Sequence, residues 1–313
     1  MSDAAITGIN KDSMGYESTY AGALSFLRRP YSKDVNAHDL IVSGVPFDLA
    51  VTNRPGARFG PRGIRAASAQ LAWDGSNWPW AGNPFKNQRT CDYGDCWVDH
   101  GYPDKIPDQI QEHTQHVISG GAKSIIMGGD HFITYPILKA INEVHGPVSL
   151  VHFDAHSDTW EEPDERIDHG TMFFHAARNG LVVPEKSVQI GMRTWNPESH
   201  GFNVMDANFV HRNGVDAVIE EALHIVGTNK AYLTFDIDCL DPSYAPGTGT
   251  PVVGGLSTWQ AQTIIRGLGD IEFVGMDLVE VAPAYDVGEI TSLAGASIIL
   301  DFICLLASQL ERR

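Results

Sequence analysis

Six short apolar runs recur along this 313-residue chain, with helix-patterned stretches between them. The runs are Asp39–Val45, Lys123–Met127, Ser149–Phe153, Ser187–Gly191, Ala231–Phe235 and Phe273–Val279. Runs this short and this apolar read as strands buried on both faces. Helical patterns cover Arg62–Leu71, Lys105–Ser119, Tyr135–Val144, Val215–Val226, Thr258–Leu268 and Thr291–Gln309. Pro61 sits where a first helical turn tolerates it. Strands alternating with helices predict an α/β fold: a central parallel sheet with helices on both faces. No internal repeat, low-complexity tract or linker interrupts the pattern, so residues 37–313 read as a single domain. Residues 1–36 read as an N-terminal arm that packs on the body or on a neighbouring subunit, with a short helix at Ala23–Leu27 ending before Pro30.

Composition excludes several classes. Hydrophobic residues make up 43% and charged residues 19%, so the chain is not disordered. Its net charge of −17 argues against a nucleic-acid partner, since a phosphate backbone needs a basic face. The same charge suits a small cationic substrate or simply solubility. The longest apolar stretch, Ser297–Ala307, is too short to span a membrane and carries Asp301, and the N-terminus lacks a secretory pattern. Cys91, Cys96, Cys239 and Cys304 show neither zinc spacing nor a disulfide framework, which fits free thiols in a cytoplasmic protein.

The chemistry-bearing residues fall just after three of the predicted strands. Gly128-Gly-Asp-His131 follows Met127, Asp154-Ala-His-Ser-Asp158 follows Phe153, and Asp236-Ile-Asp238 follows Phe235. Ligands of open α/β sheets bind beyond the carboxyl ends of strands. If the extended backbone persists, period-two alternation aims Asp154, His156 and Asp158 to one side, and Asp236 and Asp238 likewise. Asp154–Asp158 alone reads equally well as a solvated turn, Asp236–Asp238 alone is a weaker signal because aspartates often cap turns, and Gly128–His131 alone could be merely a turn. Together they place four aspartates at one rim, and burying these without cations would be very costly. Two divalent cations would balance them, and mixed oxygen and imidazole donors favour Mn²⁺-like ions over a structural zinc. His152 reads as a buried neighbour rather than a ligand, Cys239 as core, and His113 and His116 as solvent-facing.

With Asp168-His-Gly-Thr171, Pro246-Gly-Thr-Gly-Thr-Pro251 and Glu280-Val-Ala-Pro283, these motifs resemble the ureohydrolases, which include arginases, agmatinases, guanidinobutyrases and proclavaminate amidinohydrolases. The resemblance covers roughly residues 39–305 and is closest to the bacterial agmatinase branch, through Ser25-Phe-Leu-Arg28, Leu71-Ala-Trp73, Gly170-Thr-Met-Phe173, Phe235–Pro242 and Val279–Asp286. It implies a three-layer α/β/α sandwich and a homo-oligomer, trimer or hexamer. It implies one Mn²⁺ on His131, Asp154, Asp158 and Asp236 and a second on Asp154, His156, Asp236 and Asp238, with Ni²⁺ as the alternative metal. His169 matches the family's proton-shuttling histidine, Glu280 the carboxylate that pairs with the guanidinium, and Asp158 a proton relay.

The implied reaction is hydrolysis of a guanidino compound to urea and an amine, with agmatine yielding putrescine. Trp160 stands where arginases carry an asparagine that reads the α-amino acid group, which disfavours arginine. The acidic segment Glu161–Glu165 suits a terminal ammonium, or is a solvated loop. A 4-guanidinobutyrate carboxylate would instead need Arg166 or Arg193. Asn53 departs from many relatives. A non-catalytic paralogous subunit would usually lose a ligand or the shuttle histidine, and a single-metal deacetylase does not need this six-residue set.

Overall fold

The computed structural model describes residues 18–72, 79–80, 82–162 and 166–312. Within them lie strands β1 Leu40–Gly44, β2 Thr90–Asp95, β3 Lys123–Met127, β4 Ser149–Phe153, β5 Val188–Ile190, β6 Asn203–Met205, β7 Lys230–Asp236 and β8 Glu272–Val279. The helices are α1 Gly60–Ser68, α2 Ile106–Ile118, α3 Thr134–His145, α4 Met172–Arg178, α5 Ala207–Val226, α6 Thr258–Gly267 and α7 Ile290–Arg312. All strand pairs are parallel, in the order β2-β1-β3-β8-β7-β4-β5-β6.

Side-chain alternation divides the core in two. Val42, Met127, Phe153 and Leu233 face one layer with Ile64, Ile264 and Phe302. Ile41, Ile126, Leu150 and Tyr232 face the other with Ile110, Ile137 and Phe173. Helices α1, α5, α6 and α7 thus cover one face, and α2, α3 and α4 the other, completing an α/β/α sandwich.

The pattern missed β2, β6, α4 and the first turns of α5. Polar or short segments such as Thr90–Asp95 and Asn203–Met205 carry little periodicity. Glycine conceals the continuity of α5: Gly214, at φ +81°, kinks it in the middle. The expected helix Ala23–Leu27 is only a 3-10 turn, Phe26–Arg28, because Leu27 and Arg28 adopt left-handed backbone. That turn packs on the body: Phe26 N–H donates to Asp92 Oδ2 (2.7 Å) and Leu27 N–H to Ser68 Oγ (2.8 Å). The Leu71–Trp73 motif ends outside the described residues. The last apolar stretch is longer than Ser297–Ala307: α7 has the length and composition to cross a membrane, but 83% of its apolar window is buried within the fold.

Candidate metal centre and active site

The four central strands, β3, β8, β7 and β4, are neighbours in the sheet, and each ends at one part of the site. His131 follows β3, Glu280 follows β8, Asp236 closes β7 and Asp154 follows β4. The jump from β3 to β4 leaves two central positions that β8 and β7 fill, so distant stretches of sequence meet at one rim.

His131 Nδ1 lies 3.0 Å from Asp154 Oδ2, 3.0 Å from Asp158 Oδ2 and 3.3 Å from Asp236 Oδ2. His156 Nδ1 lies 3.3 Å from Asp154 Oδ1 and 3.1 Å from Asp238 Oδ2. Asp154 therefore stands between two donor sets, and all six residues named as ligands converge. The expected cause of this convergence was wrong. The extended backbone stops at Phe153, and Asp158 is left-handed at φ +52°. Aspartate turns do the gathering: Asp154 Oδ1 accepts from His156 N–H (2.6 Å), and Asp236 Oδ1 accepts from Asp238 N–H (2.8 Å). Asp130 caps the turn that presents His131 in the same way, through Phe132 N–H.

A polar row one pleat deeper orients these groups. Gln189, His152, Thr234 and Asp277 lie in register across β5, β4, β7 and β8. Gln189 Nε2 donates to Ser157 O (2.7 Å) and to His152 Nδ1 (3.1 Å), so His152 carries its proton on Nε2 and donates to Asp154 Oδ2 (2.8 Å). Both ring nitrogens of His152 are thus committed, as expected for a neighbour rather than a ligand. His131 Nε2 bonds Thr234 Oγ1 (2.8 Å), and Thr234 donates to Asp277 Oδ1 (2.6 Å). Thr134 and Tyr232 donate to Asp277 Oδ2. This leaves Nδ1 of His131 pointing at three carboxylates, which outweigh its burial and raise it well above the ordinary imidazole range, although it has no well-directed hydrogen bond among the described residues.

The electrostatics call for cations. Burial first, and then Asp154, push the Asp158 carboxyl up to about 7. Burial and neighbouring carboxylates also raise Asp236 and Asp238. Asp154 is held well below the ordinary range, because bonds to His131, His152 and His156 outweigh its burial. A carboxylate set and an imidazole that all hold on to protons when no metal is bound fit a site built for divalent metal, which would replace those protons.

Glu280 is 1% exposed, with φ +64°. Its Oε1 accepts from His131 N–H (3.0 Å) and bonds His169 Nδ1 (3.2 Å). Oε2 is buried and has no partner among the described residues. The carboxylate thus offers one free oxygen, not the two-oxygen face that a symmetric guanidinium pairing would use. Burial opposes charge on His169, but Glu280 outweighs it and pushes the pKa up to about 9.

A cavity of about 260 Å³ is lined by His156, Asp158, Asp236, His169 and Thr52, and reaches Trp160 and Glu162 at its rim. Trp195, 75% exposed, lies with its ring centroid 6.2 Å from that of Trp160. The two arginines left open for a carboxylate tail are otherwise engaged. Arg193 donates to the carbonyls of Gly191, Asp238, Cys239, Leu240 and Val252. Arg166 pairs with Asp168 (2.7 Å) and lines a separate cavity. Asn53 reaches Gly249 O rather than the cavity (3.1 Å). His116 is exposed as expected, whereas His113 is not: it meets Ser43 Oγ (3.2 Å), and burial pushes it down to about 4. Sequence reasoning missed Thr52, Thr234 and Asp277. An aspartate inside the apolar run Phe273–Val279 was the available signal.

The arginase family profile matches residues 38–304. The agmatinase of Chromobacterium violaceum is 54% identical over 94% of this chain and 91% of its own length. The agmatinase of Proteus mirabilis is 47% identical over 93% of this chain and 96% of its own length. Among solved structures, a hypothetical agmatinase from Burkholderia thailandensis superposes with TM-score 0.95 at 50% identity, covering 99% of each chain. Proclavaminate amidino hydrolase from Streptomyces clavuligerus superposes with TM-score 0.89 at 35% identity, covering 94% of this chain and 100% of its own. The chain belongs to the arginase family and is a ureohydrolase-type enzyme.

Proposed function

We propose that this enzyme hydrolyses agmatine to putrescine and urea, with two Mn²⁺ ions held by His131, Asp154, His156, Asp158, Asp236 and Asp238. The observation that carries the choice of substrate is the cavity. It joins the carboxylate–histidine cluster to Trp160 and Glu162, and no lysine or arginine stands among its described lining residues. A terminal ammonium gains an aromatic face and a carboxylate there, whereas a carboxylate tail finds no lysine or arginine among the described lining. The agmatinases of C. violaceum and P. mirabilis support the same reading.

Two bound divalent cations would make water a nucleophile at neutral pH. The remaining work belongs to side chains. Glu280 Oε2, the free buried acceptor, takes a guanidinium N–H and fixes the planar group. Asp158 stands beside the cluster as a proton relay, and an amine leaves only when protonated. His169 bridges Glu280 and the solvent side, where it can supply that proton.

Urea release from agmatine, 4-guanidinobutyrate, arginine and guanidine, on Mn²⁺- and Ni²⁺-loaded enzyme, tests the reading. Agmatine should have the highest kcat/KM, with Mn²⁺ the better metal. A higher value for any other substrate defeats the substrate assignment. His156→Ala should lower bound metal per subunit, and unchanged metal content and activity would remove the dinuclear site. Assembly as a trimer or hexamer and a cytoplasmic location belong to the same proposal. Four buried free cysteines support a reducing compartment, and sedimentation checks the assembly.

A further inference from the structure

The loop between β1 and α1 closes over His169. Ala50 N–H donates to Asp130 Oδ2 (2.9 Å), Asn53 Nδ2 donates to Gly249 O (3.1 Å), and between them Thr52 meets His169 Nε2 twice, through its backbone N–H (3.0 Å) and its Oγ1 (2.8 Å). A backbone N–H can only donate. In this geometry Nε2 is therefore an acceptor, so the loop favours a neutral ring with its proton on Nδ1, facing Glu280, and opposes the imidazolium that Glu280 favours. His169 is buried, whereas Thr52 is exposed and lines the same cavity.

We propose that Thr52 is a positioning residue for His169. It selects the Nδ1–H tautomer and connects Nε2 to bulk water through its hydroxyl. The proposal rests on the guanidino-hydrolase reading above.

The proton balance is closed. Nδ1 gives its proton to the leaving nitrogen, Nε2 takes one from Thr52 Oγ1, and Oγ1 regains one from water. The ring is left as the Nε2–H form, which sets its own N–H against that of Thr52. The reverse transfer restores it, with Nδ1 taking a proton from the attacking water and Nε2 returning one through Oγ1. The groups acting on His169 from neighbouring elements are Glu280 after β8, Asp130 after β3, Asp158 after β4 and Thr52 after β1. Thr52 alone among these is a neutral hydroxyl that can both donate and accept.

The test uses full-length Mn²⁺-loaded enzyme, with Thr52→Val removing the hydroxyl at equal size and Thr52→Ser retaining it. Thr52→Val should lower kcat about tenfold at unchanged KM, part of the roughly 10²–10⁴ that general acid–base catalysis supplies. Thr52→Ser should stay within about twofold. In parallel, carbethoxylation of His169 by diethyl pyrocarbonate, followed by peptide mass spectrometry across pH, reports its protonation midpoint without substrate. The midpoint should rise in Thr52→Val, because the hydroxyl's donation to Nε2 favours the neutral ring, and hold in Thr52→Ser. Wild-type kcat and midpoint in Thr52→Val would overturn the proposal. Equal losses in both variants, or a change in KM alone, would reduce Thr52 to a structural or binding contact. If the wild type releases urea from no guanidine, the functional reading fails, and the carbethoxylation midpoints still decide the role of Thr52.

Discussion

His131 Nε2 and Thr234 Oγ1 are 2.8 Å apart, and that bond determines which nitrogen of His131 faces the carboxylates. Thr234 passes the interaction to Asp277, which two further hydroxyls hold in place. Such outer partners fix the tautomer and raise ligand basicity, and removing one typically costs about 10–100-fold in metal affinity. Thr234→Val should therefore weaken metal binding by that range with the fold intact. Competition against a chelator of known affinity measures it. Wild-type affinity would show that the Thr234 bond does not orient His131.

The metal-free cluster predicts an unusual pH dependence of stability. Asp158 has its pKa raised from 3.8 to about 7, and Asp236 and Asp238 are also raised. Groups raised in the folded state bind more protons there than in the unfolded chain. Stability then falls as pH rises, from the unfolded pKa up through the folded one. Chelated protein should lose Tm between pH 4 and about 7, whereas Mn²⁺-loaded protein should not. Scanning calorimetry of both forms decides this, and a chelated Tm that climbs across the window would contradict the picture.

Glu280→Gln should reduce kcat/KM about 100-fold or more while metal content stays at the wild-type level. The substitution keeps the shape but removes the charge that would meet the guanidinium. Because Oε1 also takes His131 N–H, metal analysis must accompany the kinetics. Retained turnover at full metal content would remove Glu280 from substrate binding.

How much of this was legible in the sequence follows from how each residue announces itself. Met127, Phe153 and Phe235 close apolar runs, and the motifs after them carry residue types that few structural roles explain, so the rim could be read directly. The Asp154 and Asp236 turns could not. Period-two reasoning gave the right convergence for the wrong backbone, because the turn geometry depends on a side chain accepting the backbone N–H two residues ahead. Thr52 is 117 residues from His169, and nothing local in an exposed loop marks such a partner. The adjacency of β8 and β7 between β3 and β4 is likewise a matter of topology, with no signature in any one segment.

The rim predicts how specificity can be moved. Trp160 and Glu162 line the cavity that also contains His156 and Asp158, and no lysine or arginine stands among its described lining. Glu162→Lys should raise KM for agmatine and lower it for 4-guanidinobutyrate, while turnover of guanidine, which has no tail, changes little. Trp160→Ala should raise KM for agmatine alone among the three. If all three substrates suffer equally in either variant, the rim supports the loop and does not read the tail.

Gly129 is the tightest point beneath the site. A Cβ there would lie 1.6 Å from Phe47 O, which already accepts from Asp130 N–H (2.8 Å), and Gly129 O itself accepts from Glu280 N–H (2.8 Å). The obstacle is backbone, so no side-chain rotation relieves it. Gly129→Ala must displace either the loop at Phe47 or the turn that carries Asp130 and His131. A cost of about 3 kcal/mol is expected, the upper end of what most single substitutions cost. Because His131 and Glu280 move with that turn, soluble Gly129→Ala protein should also bind less metal. Calorimetry with metal analysis tests both effects. A wild-type Tm with full metal occupancy would mean that the β1 and β3 ends do not pack as closely as their hydrogen bonds indicate.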